Sequence, residues 1–277
     1  MNQGVLFPVP ETRTAQGRIY RPVLSALENQ KGVMDVDTVK GCAGGMSAYP
    51  GAGCYGECYA AKTAKRYGID FSVSVPRRIP SVGGAAILRA VSQYGANWYR
   101  VGTAGDPSHY WGHTADVCEW LSVTRKTPVI ITKHWRTMPA CVAKRLSALG
   151  AVVNTSTSGL DTEAETAHRV GQIFRLKGLG LTSVCRVVTC KFGDTEWARE
   201  RRARQEYLLS LKPVIDNPLR LSKNSPRVAS GDILIDRHDE SAGGSKFVSL
   251  HSRGVYLGTC NGCPDQCGVS AKEGKKQ

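Results

Sequence analysis

Val129-Ile130-Ile131-Thr132, a helix-sized stretch from Pro139 to Leu149, and Ala151-Val152-Val153-Asn154 follow one another in mid-chain. Both apolar runs are short and unbroken, the pattern of parallel strands buried on two faces. Pro139 suits the first turn of the intervening helix and Gly150 its C-terminal cap, so the unit reads strand, helix, strand. The rhythm continues outward. Trp98-Tyr99-Arg100-Val101 and Val184-Cys185-Arg186-Val187-Val188 read as further strands, and His113 to Thr124, Thr162 to Leu176 and Thr195 to Leu211 as further helices. Before Asn97, strands are expected at Val36 to Val39 and Phe71 to Val75, with helices at Tyr55 to Tyr67 and Ser81 to Tyr94. Repeated βα units predict an α/β fold, a parallel (βα) barrel or partial barrel, in which ligands meet residues at the C-terminal ends of the strands.

This reading gives an N-terminal segment (1–35), a barrel core (36–212) and a less regular C-terminal appendage (213–277). The appendage carries one expected strand, Asp232 to Asp236, a cysteine-rich motif, and a polar tail from Lys272 to Gln277 expected to be disordered. A chain of 277 residues can bury one full core. It has no apolar run long enough to span a bilayer, and Met1-Asn2-Gln3-Gly4 does not open a signal peptide. The expectation is a cytoplasmic protein without a membrane partner.

The formal charge is +14, and residues 51–150 hold 13 Lys/Arg against 5 Asp/Glu. Such a surface attracts polyanions, DNA or RNA foremost, and equally suits a nucleotide or another anionic substrate. Arg199, Arg201, Arg202 and Arg204 read as the exposed basic face of a helix. Tyr49, Tyr55, Tyr59 and Trp111 could stack bases or shield a cluster from water.

Ten cysteines are many for a cytoplasmic chain, where stable disulfides are rare. Six fall in two groups, Cys42/Cys54/Cys58 and Cys260/Cys263/Cys267, which points to metal ligation. Cys54 and Cys58 would share one face of a helix, with Cys42 returning across a Gly/Pro loop, so that three thiolates hold one cluster. Cys260-x2-Cys263-x3-Cys267 is a second metal motif, because two thiolates from one tight turn reach the same ion. Its fourth ligand could be Cys185, Cys190, His238 or His251, giving an auxiliary iron–sulfur cluster or a structural zinc; an open fourth position would suggest substrate binding. Cys118 and Cys141 lie in expected helices and read as core. Cys185 and Cys190 are expected on opposite faces of their strand.

Polar residues after the strands form the rest of the candidate site. Asp106, behind Gly102 and Gly105, either contacts a ligand or sits at a helix N-terminus. Lys133 and His134 could bind a phosphate or carboxylate, and Asn154 and Ser156 could hydrogen-bond hydroxyl groups.

The segment Cys42-x11-Cys54-x3-Cys58-Tyr59-Ala60 resembles phage- and plasmid-encoded proteins of the radical S-adenosylmethionine (SAM) type, the gene product 88 family above all. A weaker likeness extends over roughly residues 36 to 190, through Val101-Gly102-Thr103-Ala104-Gly105-Asp106, Ile131-Thr132-Lys133 and Asn154-Thr155-Ser156-Thr157. The resemblance implies a [4Fe-4S] cluster on Cys42, Cys54 and Cys58, with the fourth iron open to the amino and carboxylate groups of SAM. It implies an electron donor such as flavodoxin or ferredoxin, reductive cleavage of SAM, and a 5′-deoxyadenosyl radical that attacks substrate. Asp106, Asn154, Ser156 and Lys133 would then contact SAM. The commonest radical SAM pattern is Cys-x3-Cys-x2-Cys, and here the third ligand must instead be Cys42, upstream. The rival reading is a zinc-stabilised, non-catalytic nucleic-acid-binding protein. A third is a barrel that keeps its cluster only for structure.

Overall fold

The computed structural model describes residues 12–13, 19–238 and 246–270; the expectation for the tail from Lys272 lies outside them. In chain order its principal elements are β1 (Leu27–Glu28), β2 (Met34–Asp35), α1 (Ala43–Ala48), α2 (Tyr59–Arg66), α3 (Gly84–Gln93), β3 (Trp98–Val101), α4 (Trp111–Leu121), β4 (Thr127–Thr132), α5 (Ala140–Ala148), β5 (Val152–Ser158), α6 (Glu163–Gly178), β6 (Thr182–Thr189), α7 (Glu196–Ser210), β7 (Val214–Leu221), β8 (Arg237–His238) and β9 (Phe247–Ser249). Strands pair in the order β8-β9-β7-β6-β5-β4-β3-β2-β1. From β2 to β7 every pairing is parallel, and the edges are antiparallel. The protein is thus α/β with a large, mostly parallel sheet. Among the described residues no helix is long and apolar enough to cross a membrane.

Each parallel strand lies beside the one before it. Right-handed crossovers in such an order place the connecting helices on one face of the sheet. The packing agrees. Tyr99, Val101, Ile130 and Val153 face Val91, Leu121, Leu146 and Leu176 of the helices in the main core, whereas the alternate residues Trp98, Val129, Val152 and Val184 face Val33 and Val269 on the other side. Helix starts follow local chemistry: Thr162 and Glu165 form a reciprocal capping box on α6, and Thr195 caps α7.

Several expectations are corrected. The parallel sheet does not end near residue 212, because β7 pairs with β6 and β9 extends it further. Of Phe71 to Val75 only Val75 is strand, in the separate pair of Val75–Pro76 with Val39–Lys40. β5 runs on to Ser158, so Asn154 and Ser156 lie within the strand; the β-branched Thr155 and Thr157 prolong it beyond the apolar run. Cys54 and Cys58 do not share a helix. Cys54 opens a 3₁₀ turn, Cys54–Gly56, in which Tyr55 has φ 59°, and Cys58 caps α2.

Candidate metal centre

Cys42 is placed by close backbone packing at the C-terminal ends of the strands. Gly41 bridges Gly105 in the loop after β3, and a β-carbon on Gly105 would lie 2.3 Å from the Val39 carbonyl oxygen, so only glycine fits there. Gly102, at φ +99°, approaches the Ile131 carbonyl as closely. These glycines serve contact between backbones, and Gly102 and Gly105 also line the cavity that the cysteines share. Cys42 then caps α1, its Sγ accepting from the Gly45 N–H at 3.4 Å and standing 3.9 Å from His109 Nε2.

Two further glycines clear space around the sulfurs. A β-carbon on Gly45 would lie 3.0 Å from Cys42 Sγ and 3.2 Å from Cys54 Sγ, so the two sulfurs flank one point; one on Gly53 would lie 3.4 Å from Cys58 Sγ. All three cysteines line a single cavity of about 250 Å³ that also touches Asp106, Lys133 and Ser156 at the strand ends. Among the described residues no three His, Cys, Asp or Glu side chains stand at the spacing of a single bound ion; the thiols form a rim. Three thiols around a glycine-cleared hollow suit a thiophilic metal group.

Burial raises the Cys42 thiol pKa far above its usual range, and the nearby Asp106 adds to this. Burial pushes Cys54 up to about 11 even though Lys133 opposes it. Without a metal both are neutral thiols. His109 accepts from the Gly44 N–H at 3.3 Å through Nε2, and burial lowers its pKa, which keeps the ring neutral beside Cys42.

Asp106 is buried and its oxygens are engaged: Ser108 N–H at 2.9 Å, Thr132 Oγ1–H at 2.7 Å and Lys133 N–H at 2.8 Å all donate to it. It caps the turn at Pro107–Tyr110 and fastens that turn to the end of β4. The Lys133 ammonium donates to the Tyr55 hydroxyl and stands 3.5 Å from Asp161 Oδ1. Ser156 reaches the cavity; Asn154 does not line it and instead donates from Nδ2 to the Cys267 carbonyl at 3.1 Å. His134 points away, buried against Trp111 and 3.1 Å from Thr155 Oγ1. The arginines of α7 are not one exposed face. Arg202 and Arg204 donate to carbonyls of Gly193 and Asp161, at 2.7 and 2.5 Å, and Arg201 lies over Trp197. Cys118 is core, as expected, but Cys141 is exposed on α5.

Asp37, Asp161 and Arg169 are site-building residues absent from the sequence reading. Asp37 accepts from the N–H groups of Gly102, Thr103 and Ala104, at 3.0, 2.6 and 2.9 Å, and so shapes the loop after β3. Asp161 binds Tyr55 and Arg169 beneath the cysteine loop. The sequence signal of the two aspartates was faint, an acid shortly after a strand, which turns and helix caps also use, and Arg169 lies within α6 with no distinguishing pattern.

The Cys260/Cys263/Cys267 group lies elsewhere. Cys260 and Cys267 pack with Trp98, Val129, Val152 and Val184, at the N-terminal ends of the strands. Of the four candidate extra ligands, Cys185 faces the helices with Val170 and Leu208, Cys190 packs with Phe192 and Leu221, His238 stacks on Phe247, and His251 pairs with Asp216 at 3.1 Å.

No family model matches this sequence, and neither a curated protein nor a solved structure is significantly similar to it.

Proposed function

We propose that the chain is an enzyme of the radical SAM type, with Cys42, Cys54 and Cys58 holding a [4Fe-4S] cluster at the mouth of a partial (βα) barrel. One observation carries this reading: three cysteines from separate turns line a single cavity at the C-terminal ends of the strands. Structural zinc sites are closed by four protein ligands. Three thiolates on the rim of a cavity would hold a group and leave it short of a fourth protein ligand, so that a substrate could complete it. A cluster bound there supplies one-electron reduction of the SAM sulfonium.

The chain's own residues do the rest. Gly45 and Gly53 keep side chains out of the hollow. Phe71, Tyr59 and Trp135 give it aromatic walls. Ser156 offers a hydroxyl to a bound ribose. Asp106, already saturated by three donors, positions the loops. Lys133 and Arg220 place two cations on the cavity wall beside the carboxylates of Glu57 and Asp106; the cations suit the SAM carboxylate and an anionic substrate such as a nucleotide or nucleic acid. A low-potential flavodoxin- or ferredoxin-type protein would deliver the electron.

The test is the absorption spectrum and the iron, sulfide and zinc content of anaerobically purified protein, repeated with Cys42, Cys54 and Cys58 all changed to Ala. The expected result is a brown protein losing about four irons in the triple variant and releasing 5′-deoxyadenosine from SAM after reduction. Zinc without iron, after anaerobic reconstitution has also failed, would replace this reading with the zinc-stabilised binding protein.

A further inference from the structure

A second cavity, of about 480 Å³, adjoins the Cys42 hollow: Tyr55, Glu57 and Leu219 line both. Its volume is that of a small-molecule site. Apolar lining comes from Leu219, Leu221 and Ile233, members of the core cluster around Phe192. Segment 225–232 supplies a polar wall, with Ser225, Arg227 and Asp232. That wall is fixed in place. Ile233–Leu234 pairs antiparallel with Lys191–Phe192, and the Gly193 N–H donates to the Asp232 carbonyl at 2.9 Å. A β-carbon on Gly193 would lie 1.9 Å from the Gly231 carbonyl oxygen, so the two backbones touch.

Flat groups and an unsatisfied polar group meet in this cavity. Tyr49 and Tyr55 both line it, set edge to face with ring centroids 5.9 Å apart and planes at 71°. The Arg227 guanidinium lies over the Trp197 ring at 4.2 Å. Aromatic rings and guanidinium planes are the surfaces on which nucleobases stack. Ser225 is only 6% exposed, and although it stands at the start of the helical turn Pro226–Ala229 its hydroxyl does not cap that turn. Among the described residues this hydroxyl has no hydrogen-bond partner. An enclosed hydroxyl left unpaired is costly, and the cavity it lines is the side from which a partner can come. Both carboxylates of the lining are already paired. Glu57 bonds Lys62 Nζ at 2.5 Å, and Asp232 accepts from Thr195 Oγ1–H at 2.7 Å and pairs with Arg227 at 3.1 Å. In a chain of formal charge +14, an anionic ligand is favoured.

We propose that this cavity is the substrate pocket of the cysteine centre and takes a nucleobase, from a free nucleotide or from a single strand, stacked on Tyr49 and Arg227 with its polar edge at the Ser225 hydroxyl. The assignment rests on the reading of the Cys42 cavity as the reaction centre. Tyr55 and Glu57 form the border between the two cavities, so a base held here abuts the hollow that the three thiols rim. An apolar ligand would leave the Ser225 hydroxyl unpaired, whereas the edge of a base meets it with ring nitrogens, carbonyl oxygens or amino groups.

The experiment is equilibrium dialysis of the full-length, anaerobically purified protein, without SAM or reductant, against AMP, GMP, CMP and UMP and against short single-stranded DNA and RNA. Tyr49→Ala should weaken binding by about 5–100-fold, with Tyr49→Phe restoring it, and Ser225→Ala should weaken it by about 2–10-fold. Ser225→Ala removes a hydroxyl and no packing, so the test stands even where Tyr49→Ala misfolds. Mononucleotide binding that a strand does not improve on identifies a free nucleotide; tighter binding of a strand, with the same sensitivity to both substitutions, identifies a base within it. Binding that responds to salt and to neither substitution is attraction of phosphate to the basic surface and would overturn the proposal, as would no binding of any probe at millimolar concentration. Iron content and 5′-deoxyadenosine release score the cluster separately. Iron without nucleotide binding removes the pocket alone, and nucleotide binding without iron removes the radical chemistry alone.

Discussion

The Tyr55 hydroxyl donates to Asp161 Oδ1 at 2.8 Å, joining residues 106 apart in sequence. Through this bond the cysteine loop, with Tyr55 held at φ 59° between Cys54 and Gly56, is clamped to the turn after β5. The other Asp161 oxygen stands 2.6 Å from Arg169 Nη1 in an ion pair and accepts from the Ser158 N–H at 2.9 Å. Arg169 in turn donates to the Lys133 carbonyl at 2.9 Å. One carboxylate, 1% exposed, thus organises the ground on which Cys54 stands.

Asp161→Ala should therefore be severe. Removing one partner of a buried ion pair leaves the other charge uncompensated and costs about 3–5 kcal/mol, measurable by urea unfolding of metal-free protein. Burial alone would raise the Asp161 pKa, but Lys133 and Arg169 outweigh it and hold it below the carboxylate norm. Its contribution is complete above about pH 4 and is lost as acid titrates the folded state. A cost below about 1 kcal/mol, typical of an exposed pair, would show that the clamp is dispensable.

His134 gives stability its pH dependence in a higher window. Burial lowers its pKa to about 3, while the unfolded side chain titrates near 6.5. The unfolded state therefore binds the proton first, and stability falls as pH drops from about 6.5 toward 3, by up to about 1.4 kcal/mol per unit. Replacing the ring by Gln should flatten the difference in unfolding free energy between pH 7 and pH 5. An identical slope in His134→Gln would assign it to other groups.

The parallel α/β plan was legible because its strands are apolar and its helices carry their own caps: Trp98–Val101 is a strand as read, and Thr162 starts a helix as read. What was illegible depends on contacts distant in sequence. β7, Val214–Leu221, contains Asp216, Asn217 and Pro218 and lacks a clean apolar run; it becomes a strand by pairing with β6. The joint appearance of Cys42, Cys54 and Cys58 at one cavity was anticipated from spacing, yet by the wrong local geometry, since a left-handed Tyr55 breaks the helix assumed to present Cys54 and Cys58 together. Asn154 and Ser156 read as a pair of site residues, and the strand's own period does place them on one face. Only Ser156, nearer the C-terminal end, reaches the cavity; Asn154 is taken by the C-terminal segment.

Gly45→Ala separates the site from the fold. Gly45 lies inside α1, where alanine favours the helix by up to about 1 kcal/mol. Its new methyl would meet Cys42 Sγ at 3.0 Å and Cys54 Sγ at 3.2 Å, closer than sulfur and carbon normally approach. The metal-free variant should unfold within about 1 kcal/mol of the natural chain while retaining markedly less iron after anaerobic reconstitution. Full iron occupancy would mean that the sulfurs turn outward to bind and that the hollow beside Gly45 is not used.

The thiols themselves supply the last prediction. With its pKa near 11, set by burial against the opposing pull of Lys133, Cys54 in metal-free protein is a thiol throughout the neutral range, and ligation must release its proton. Alkylation proceeds through the thiolate, so Cys54 modification, followed by mass spectrometry of its peptide, should rise about tenfold per pH unit from 7 to beyond 9 with no plateau near the ordinary thiol pKa of about 8.5. Lys133→Met removes the cation that favours the thiolate and should slow alkylation further at every pH. A plateau at or below pH 8.5 would show a pre-ionised sulfur and a loop more open to water than its packing indicates. With iron bound, Cys54 should resist alkylation across the whole range, because its sulfur lone pairs are then engaged by the metal.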